Sequence, residues 1–193
     1  MVSNCNILCA LIGAGKSKRF YSNKLEAMFN GQMLGSFAAT QMQQARLGSC
    51  VAIVRSQTPL FNDWLTTHDY RLIINENPEA GVAHSIALAA QAAIDDGADA
   101  LLISLADMPF VPVDHFHALA KALTPLGVIS TDGKAKMPPA IFPRTTFADL
   151  TNLTGDAGAR HVINAAFAIE VAPGGLIDVD TRADLIRYSA ERR

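Results

Sequence analysis

Short apolar runs alternate along the chain with stretches in which apolar residues recur every three or four positions. Runs at 7–12, 50–54, 71–74, 100–105 and 127–130 read as strands, and the segments 35–46, 59–67, 83–95 and 114–123 as helices. The helix from Ala83 carries Ile86, Leu88, Ala89, Ala92 and Ala93 and runs out near Gly97, a plausible stop; Pro112 and Asp114 mark the start of the next. This order predicts parallel β/α units. After Thr131 the pattern changes. Asp132-Gly133-Lys134 is a turn, and 137–142 reads as a short edge or loop strand, because prolines do not fit a central ladder. Short helices at 144–150 and 157–166, strands at 169–171 and 177–179, and a final helix from Thr181 complete the expectation. No Ser/Gly linker, repeat or low-complexity tract divides the chain. One α/β domain over residues 1–193 is expected, with its working face at the carboxyl ends of the parallel strands.

The 193 residues suffice for one domain with a substantial core. Half are hydrophobic and 18% charged, ordinary values for a globular protein. A net charge of −2 argues against a nucleic-acid binder, which shows a basic face. No apolar run reaches the roughly 18 residues of a membrane span, and the N-terminus lacks the cationic start of a signal peptide. Cys5, Cys9 and Cys50 have no metal-like spacing and read as buried thiols in a reducing cytoplasm.

Candidate chemistry begins where the first strand runs into Gly13-Ala14-Gly15-Lys16-Ser17-Lys18-Arg19, with Lys24 just beyond. A strand feeding a glycine-rich turn with several cations makes a phosphate cradle. The glycines let backbone N–H groups approach oxygens, and Lys and Arg supply counter-charge. Gly15-Lys16-Ser17 looks like the end of a P-loop, but that motif needs a glycine where Ala10 stands, which disfavours a P-loop kinase. Asp107 lies just past the strand 100–105 and before Pro109. A carboxylate at a strand's carboxyl end suits Mg²⁺, which takes one or two carboxylates plus substrate phosphates; the structural alternative is a turn or cap aspartate. Thr181 with Asp184 reads as a capping box, while Asp180 ends a strand and precedes a helix. Asn77-Pro78-Glu79-Ala80-Gly81 opens the helix that carries Ser85, and its amides and hydroxyl can bind a base, ribose or phosphate. His84 has no second His or Cys at ligand spacing. In Leu153-Thr154-Gly155-Asp156-Ala157-Gly158-Ala159-Arg160 the glycines permit a tight loop. Asp156 caps a helix, and Arg160 offers a fork to a phosphate or pairs with Asp156.

Together these motifs resemble the molybdenum-cofactor nucleotidyltransferase family, the MobA/MocA-like NTP transferases. The first strand of that family ends in Leu-Ala-Ala-Gly-x-Ser-x-Arg-Phe/Met-Gly with a Lys soon after. Gly13 to Phe20 and Lys24-Leu25 match, with Gly13 for Ala and Tyr21 for Gly. Asp107-Met108-Pro109 matches its Asp-Met-Pro, and 178–185 its Asp-x-Asp-Thr-Pro-x-Asp-Leu, with Arg182 for Pro. Residues 77–86 are similar to its Asn-Pro-x-x-Gly-Met-x-x-Ser-Leu, with Val82 for Met, and 153–160 to its Leu-x-Gly-Asp-x-Gly-Ala-Arg. Residues 138–142 resemble its Gly-x-Pro-x-x-Phe loop, with Met137 and Pro138 where Gly and a small or polar residue are usual. The resemblance extends over residues 8–185.

The resemblance implies a Rossmann-like three-layer α/β/α sandwich of the nucleotide-diphospho-sugar transferase type, with a mostly parallel sheet. It implies transfer of a nucleotidyl group from an NTP to a phosphate, with release of pyrophosphate. Arg19, Lys24 and the amides and hydroxyl of Gly13, Ala14, Gly15 and Ser17 would hold the triphosphate, and Asn77, Gly81 and Ser85 the nucleoside. Asp107 and Asp180 would hold Mg²⁺, and Pro139, Asp156 and Arg160 the acceptor. Because the nucleophile is already an anion, the reaction needs charge neutralisation and in-line placement rather than a general base. Ala14, Ser17 and Met108 match the cytidylyl branch, which implies CTP as donor, molybdopterin as acceptor, and a client molybdoenzyme or its chaperone as partner. The alternatives are a guanylyltransferase, another small-molecule phosphate nucleotidyltransferase, and a non-catalytic nucleotide or cofactor carrier. Asp107, Arg19 and Lys24, all intact, argue against the carrier.

Overall fold

The computed structural model describes residues 5–15, 20, 23–153 and 166–191. Its first half alternates strand and helix: β1 (Ile7–Ile12), α1 (Leu34–Gln44), β4 (Gly48–Val54), α2 (Pro59–Thr67), β5 (Arg71–Ile74), α3 (Val82–Asp95) and β6 (Ala100–Leu105). A small hairpin, β2 (Met28–Phe29) and β3 (Gln32–Met33), interrupts the first connection. Then follow α4 (Val113–Lys121), β7 (Val128–Thr131), β8 (Lys136–Pro143), α5 (Phe147–Thr151), β9 (Phe167–Glu170) and α6 (Arg182–Glu191). The seven-stranded sheet has the order β5-β4-β1-β6-β8-β7-β9. β5, β4, β1 and β6 are parallel, β8 runs antiparallel to both neighbours, and β9 pairs parallel with β7.

The central strands are covered on both faces, which is why they read as continuous apolar runs rather than alternating ones. In β1, Ile7, Cys9 and Leu11 pack with Met42 of α1, Phe61 and Leu65 of α2, and Phe116 and Leu119 of α4. Leu8, Ala10 and Ile12 face the opposite layer, with Ala89, Ala90, Ala92 and Ala93 of α3 and Phe147 and Leu150 of α5. Gly48 opens β4 where a Cβ would lie 1.8 Å from the carbonyl oxygen of Ile7, so no other residue fits this strand pair.

A third cluster of Phe29, Leu34 and Val179, with Phe37, Phe110, Leu185 and Tyr188 against it, ties the hairpin, the loop after Asp107 and α6 together. Phe110 meets Phe29 at 5.9 Å and Tyr188 at 5.8 Å between ring centroids, both edge-on. The expected capping box starts α6: Asp184 Oδ2 accepts from the amide and hydroxyl of Thr181, and Thr181 Oγ1 accepts from the Asp184 amide.

The structure departs from the sequence expectation in three places. The proline-rich strand is not at an edge: β8 lies between β6 and β7. Ala140, Ile141 and Phe142 carry the ladder to β6, and Pro138 and Pro139 fall where the pairing with β7 shifts, from Ile129–Ala140 to Ser130–Met137. The irregularity absorbs the two residues that lack an N–H. Residues 177–179 form no strand, although the Val179 amide donates to the carbonyl of Asp107 at 3.0 Å. The hairpin β2–β3 was not among the expected elements, although its Asn30-Gly31 turn, with φ +46° and +85°, is the signal for one. The expected helix 157–166 falls outside the described residues, apart from Ala166.

Candidate active site

The carboxyl ends of β1 and β6 meet a cavity of about 400 Å³ lined by Ile12, Ala14, Gly15, Pro78, Glu79, Gly81, Val82, Ser85, Leu105 and Asp107. Beside it, the ammonium of Lys24 bridges two carboxylates, at 2.7 Å from Asp107 Oδ2 and 2.8 Å from Asp180 Oδ1. These three residues lie 83 and 156 positions apart, counted from Lys24. Each is placed by a different device.

Asp107 lies two residues past the end of β6, and its carbonyl accepts the Val179 amide, which brings Asp180 alongside. Lys24 starts a single 3₁₀ turn, Lys24–Glu26. That turn is pinned by its last residue: Glu26 Oε1 accepts from the amides of Leu60 and Phe61, and Glu26 Oε2 from the Asn23 amide group. Leu60 and Phe61 lie in the first turn of α2, whose N-cap, Thr58, makes no side-chain cap. Glu26 therefore serves as the cap from outside the helix, satisfying orphan donors at the positive end of the dipole.

Burial opposes the charge on Lys24, but the Asp107 carboxylate, then the hydrogen bonds to Asp107 and Asp180, outweigh it and raise its pKa above the ordinary lysine value. The Asp178 pKa is raised from the ordinary aspartate value, first by partial burial, then by the nearby charges of Asp180 and Asp107. Negative charge therefore exceeds positive at this spot, even with Lys24 present.

A divalent metal fits the residues. Asp107 Oδ1 is buried and has no hydrogen-bond partner among the described residues. The Lys24 ammonium occupies the bite of two carboxylates as a cation would. Hard oxygen donors of this kind suit Mg²⁺ or Mn²⁺ completed by substrate phosphates. No group of three or more His, Cys, Asp or Glu that could hold a metal by itself occurs among the described residues.

The other expected positions divide four ways. Ala14, Gly15, Gly81 and Ser85 line the cavity. Gly81 has φ +78°, a conformation that suits glycine, and this turns the chain from the Pro78–Ala80 turn into α3. Gly13 and Asn77 do not line it: the Gly13 amide donates to the Ile53 carbonyl at 2.8 Å and so closes the sheet rather than facing the cavity. Pro139 is buried in the β8 irregularity. Ser17, Arg19, Asp156 and Arg160 lie outside the described residues.

Sequence reasoning missed three contributors. Glu26 is one. Asp178 is another, visible only as an acidic residue two before Asp180. The third is Asn75, 3% exposed, whose Nδ2 donates to Ser85 Oγ at 2.9 Å and whose Oδ1 accepts the Asn77 amide at 2.8 Å. An amide ending the apolar run of β5 was the available signal.

The MobA-like NTP transferase domain matches residues 9–170. The chain belongs to this family. It is accordingly a nucleotidyltransferase. The purine catabolism protein PucB of Bacillus subtilis (strain 168) is 28% identical over 197 residues, covering 94% of this chain and 96% of that protein. A nucleotidyl transferase from Methanothermobacter thermautotroptrophicus superposes with a TM-score of 0.85 at 15% identity, covering 96% of this chain and 97% of the other. Rv0371c of Mycobacterium tuberculosis H37Rv, crystallised with manganese, superposes with a TM-score of 0.77 at 18% identity, covering 97% and 100%. These likenesses show that the MobA-like domain here has the nucleotide-diphospho-sugar transferase fold.

Proposed function

We propose that this MobA-like domain transfers CMP from CTP to the phosphate of molybdopterin, with Mg²⁺ held by Asp107 and Asp180, and releases pyrophosphate. The observation that carries the reading is the Lys24 bridge between Asp107 and Asp180 beside the cavity that Ala14 and Gly15 line. It gathers one cation and two metal-binding groups at the mouth of a cavity large enough for a nucleotide. The metal, when bound, supplies positive charge to the α-phosphate.

The chain's own residues do the rest. The amides of Ala14 and Gly15, with Ser17, Arg19 and Lys24, hold the triphosphate and take up charge as pyrophosphate leaves. Gly81 and Ser85, the latter fixed by Asn75, bound the nucleoside. Asn77 acts through its place in the same loop. Asp156 and Arg160 are assigned to the acceptor by their match to the family motif, and Pro139, itself buried, acts through the 137–139 segment; the acceptor's phosphate oxygen attacks without a general base. Ala14, Ser17 and Met108 support CTP through their match to the cytidylyl branch. The Rv0371c manganese complex supports a divalent ion in this fold. A molybdopterin acceptor implies a client molybdoenzyme or its chaperone, in the cytoplasm, and the name of the Bacillus relative, a purine catabolism protein, points to purine chemistry for that client.

The test is pyrophosphate release with each NTP, with and without molybdopterin, in Mg²⁺. The highest kcat/KM is expected for CTP with molybdopterin. A higher value for GTP replaces the donor assignment, and release with a different phosphate acceptor replaces molybdopterin.

A further inference from the structure

On the face of the sheet that α4 covers, three polar groups meet inside otherwise apolar packing. Ser130 of β7 is fully buried, and its Oγ donates to the Pro139 carbonyl at 2.6 Å. His115 of α4, 7% exposed, places Nε2 2.7 Å from the same Oγ. The Ser130 hydroxyl has one proton, and Pro139 takes it. His115 must therefore donate from Nε2, as a neutral imidazole, and burial does push its pKa below the ordinary histidine value.

The position of this chain of bonds matters more than its presence. It stands where the β7–β8 ladder breaks, between the pairs Ile129–Ala140 and Ser130–Met137. Pro138 and Pro139 have no N–H to offer, so backbone pairing leaves this segment undefined. The Ser130 hydroxyl supplies the link that a ladder bond would have made. The segment also points at the site. Ala140 pairs with Ile103, and β8 is antiparallel to β6, so residues 139 and 138 run on toward the carboxyl end of β6 and Asp107.

We propose that His115 and Ser130 are positioning residues whose buried hydrogen-bond chain to the Pro139 carbonyl sets the 137–139 segment beside Asp107 and thereby the hold on the acceptor's phosphate. This rests on the reading of the acceptor side given above. A histidine that merely filled the core would be replaceable by any apolar side chain of its size. A positioning histidine is replaceable only by another donor at the Nε2 position.

Two measurements on the full chain decide it, with H115L, H115Q and S130A against wild type. The first is amide hydrogen exchange by mass spectrometry. H115L and S130A should exchange about fivefold faster within 136–142, the effect of losing one buried hydrogen bond, while β1 and β6 are unchanged and H115Q matches wild type. Unaltered exchange in 136–142, or a uniform rise across the sheet, overturns the proposal. The second is pyrophosphate release with CTP and molybdopterin. H115L and S130A should raise the KM for molybdopterin about fivefold, leave the KM for CTP and kcat unmoved, and be rescued in H115Q. An equal effect on both substrates, or no rescue, overturns it. If the wild type itself releases no pyrophosphate with molybdopterin, the acceptor assignment fails, and exchange alone decides whether the positioning chain exists.

Discussion

Lys24 carries the site's two states in one side chain. With carboxylates on either side at 2.7 and 2.8 Å, it fills the place a metal would take. Replacing it with methionine removes that competitor, so K24M should bind Mn²⁺ more tightly than wild type without nucleotide, by about tenfold. Titration calorimetry with MnCl₂ reads this directly, and equal or weaker binding contradicts it. The same variant should bind CTP more weakly, having lost a charge-assisted phosphate contact. The raised pKa of Lys24 also fixes a pH window. Its ion pairs contribute stability that is complete below the unfolded-state pKa of about 10.4 and is lost as pH climbs through the higher folded-state value. The stability difference between wild type and K24M, from urea unfolding, should therefore hold steady to about pH 10 and narrow above it. Asp107→Asn keeps the shape and removes the charge; it should lower kcat by about 10²-fold or more in a protein whose circular dichroism is unchanged.

At the scale of elements, the site depends on a helix that holds none of its chemistry. Glu26 caps α2 from the turn that begins with Lys24, so one carboxylate fixes both the helix start and the lysine. Glu26→Ala should cost about 1–2 kcal/mol in urea unfolding, as cap losses do, and should also lower kcat, because the Lys24 turn loses its anchor. A stability loss with unaltered kcat would mean that Lys24 is held by its carboxylates alone. The strands show the complementary case. The runs at 7–12 and 100–105 were legible because two-sided burial imprints on every position. The strand 136–143 was legible as a strand but not in its place, because a proline rule derived for regular ladders does not foresee an irregularity that takes the prolines out of the ladder.

Across the whole molecule, the site is closed by its last described segment. The Val179 amide on the Asp107 carbonyl and the Phe29–Phe110–Tyr188 ring contacts join chain start, middle and end. Phe110→Ala removes two edge-on ring pairs and should cost about 2 kcal/mol. Hydrogen exchange should speed up in 182–191 first, and the KM for Mn²⁺ in pyrophosphate release should rise as Asp180 loosens. If α6 exchanges as before, the ring cluster is not what holds Asp180 in place.

The amino-acid order alone determined the alternation of strands and helices, Asp107 just past the end of β6, and the capping box of α6. All of these are local: apolar periodicity, turn chemistry and caps act between residues a few positions apart. Tertiary structure decided the rest. It placed β8 inside the sheet, set Lys24 between Asp107 and Asp180, made Glu26 a cap for a helix more than 30 residues on, and stacked His115 under Ser130 and Pro139. Each of those arrangements joins groups separated by long stretches of chain. Their contact follows from sheet order and packing, which no window of sequence contains.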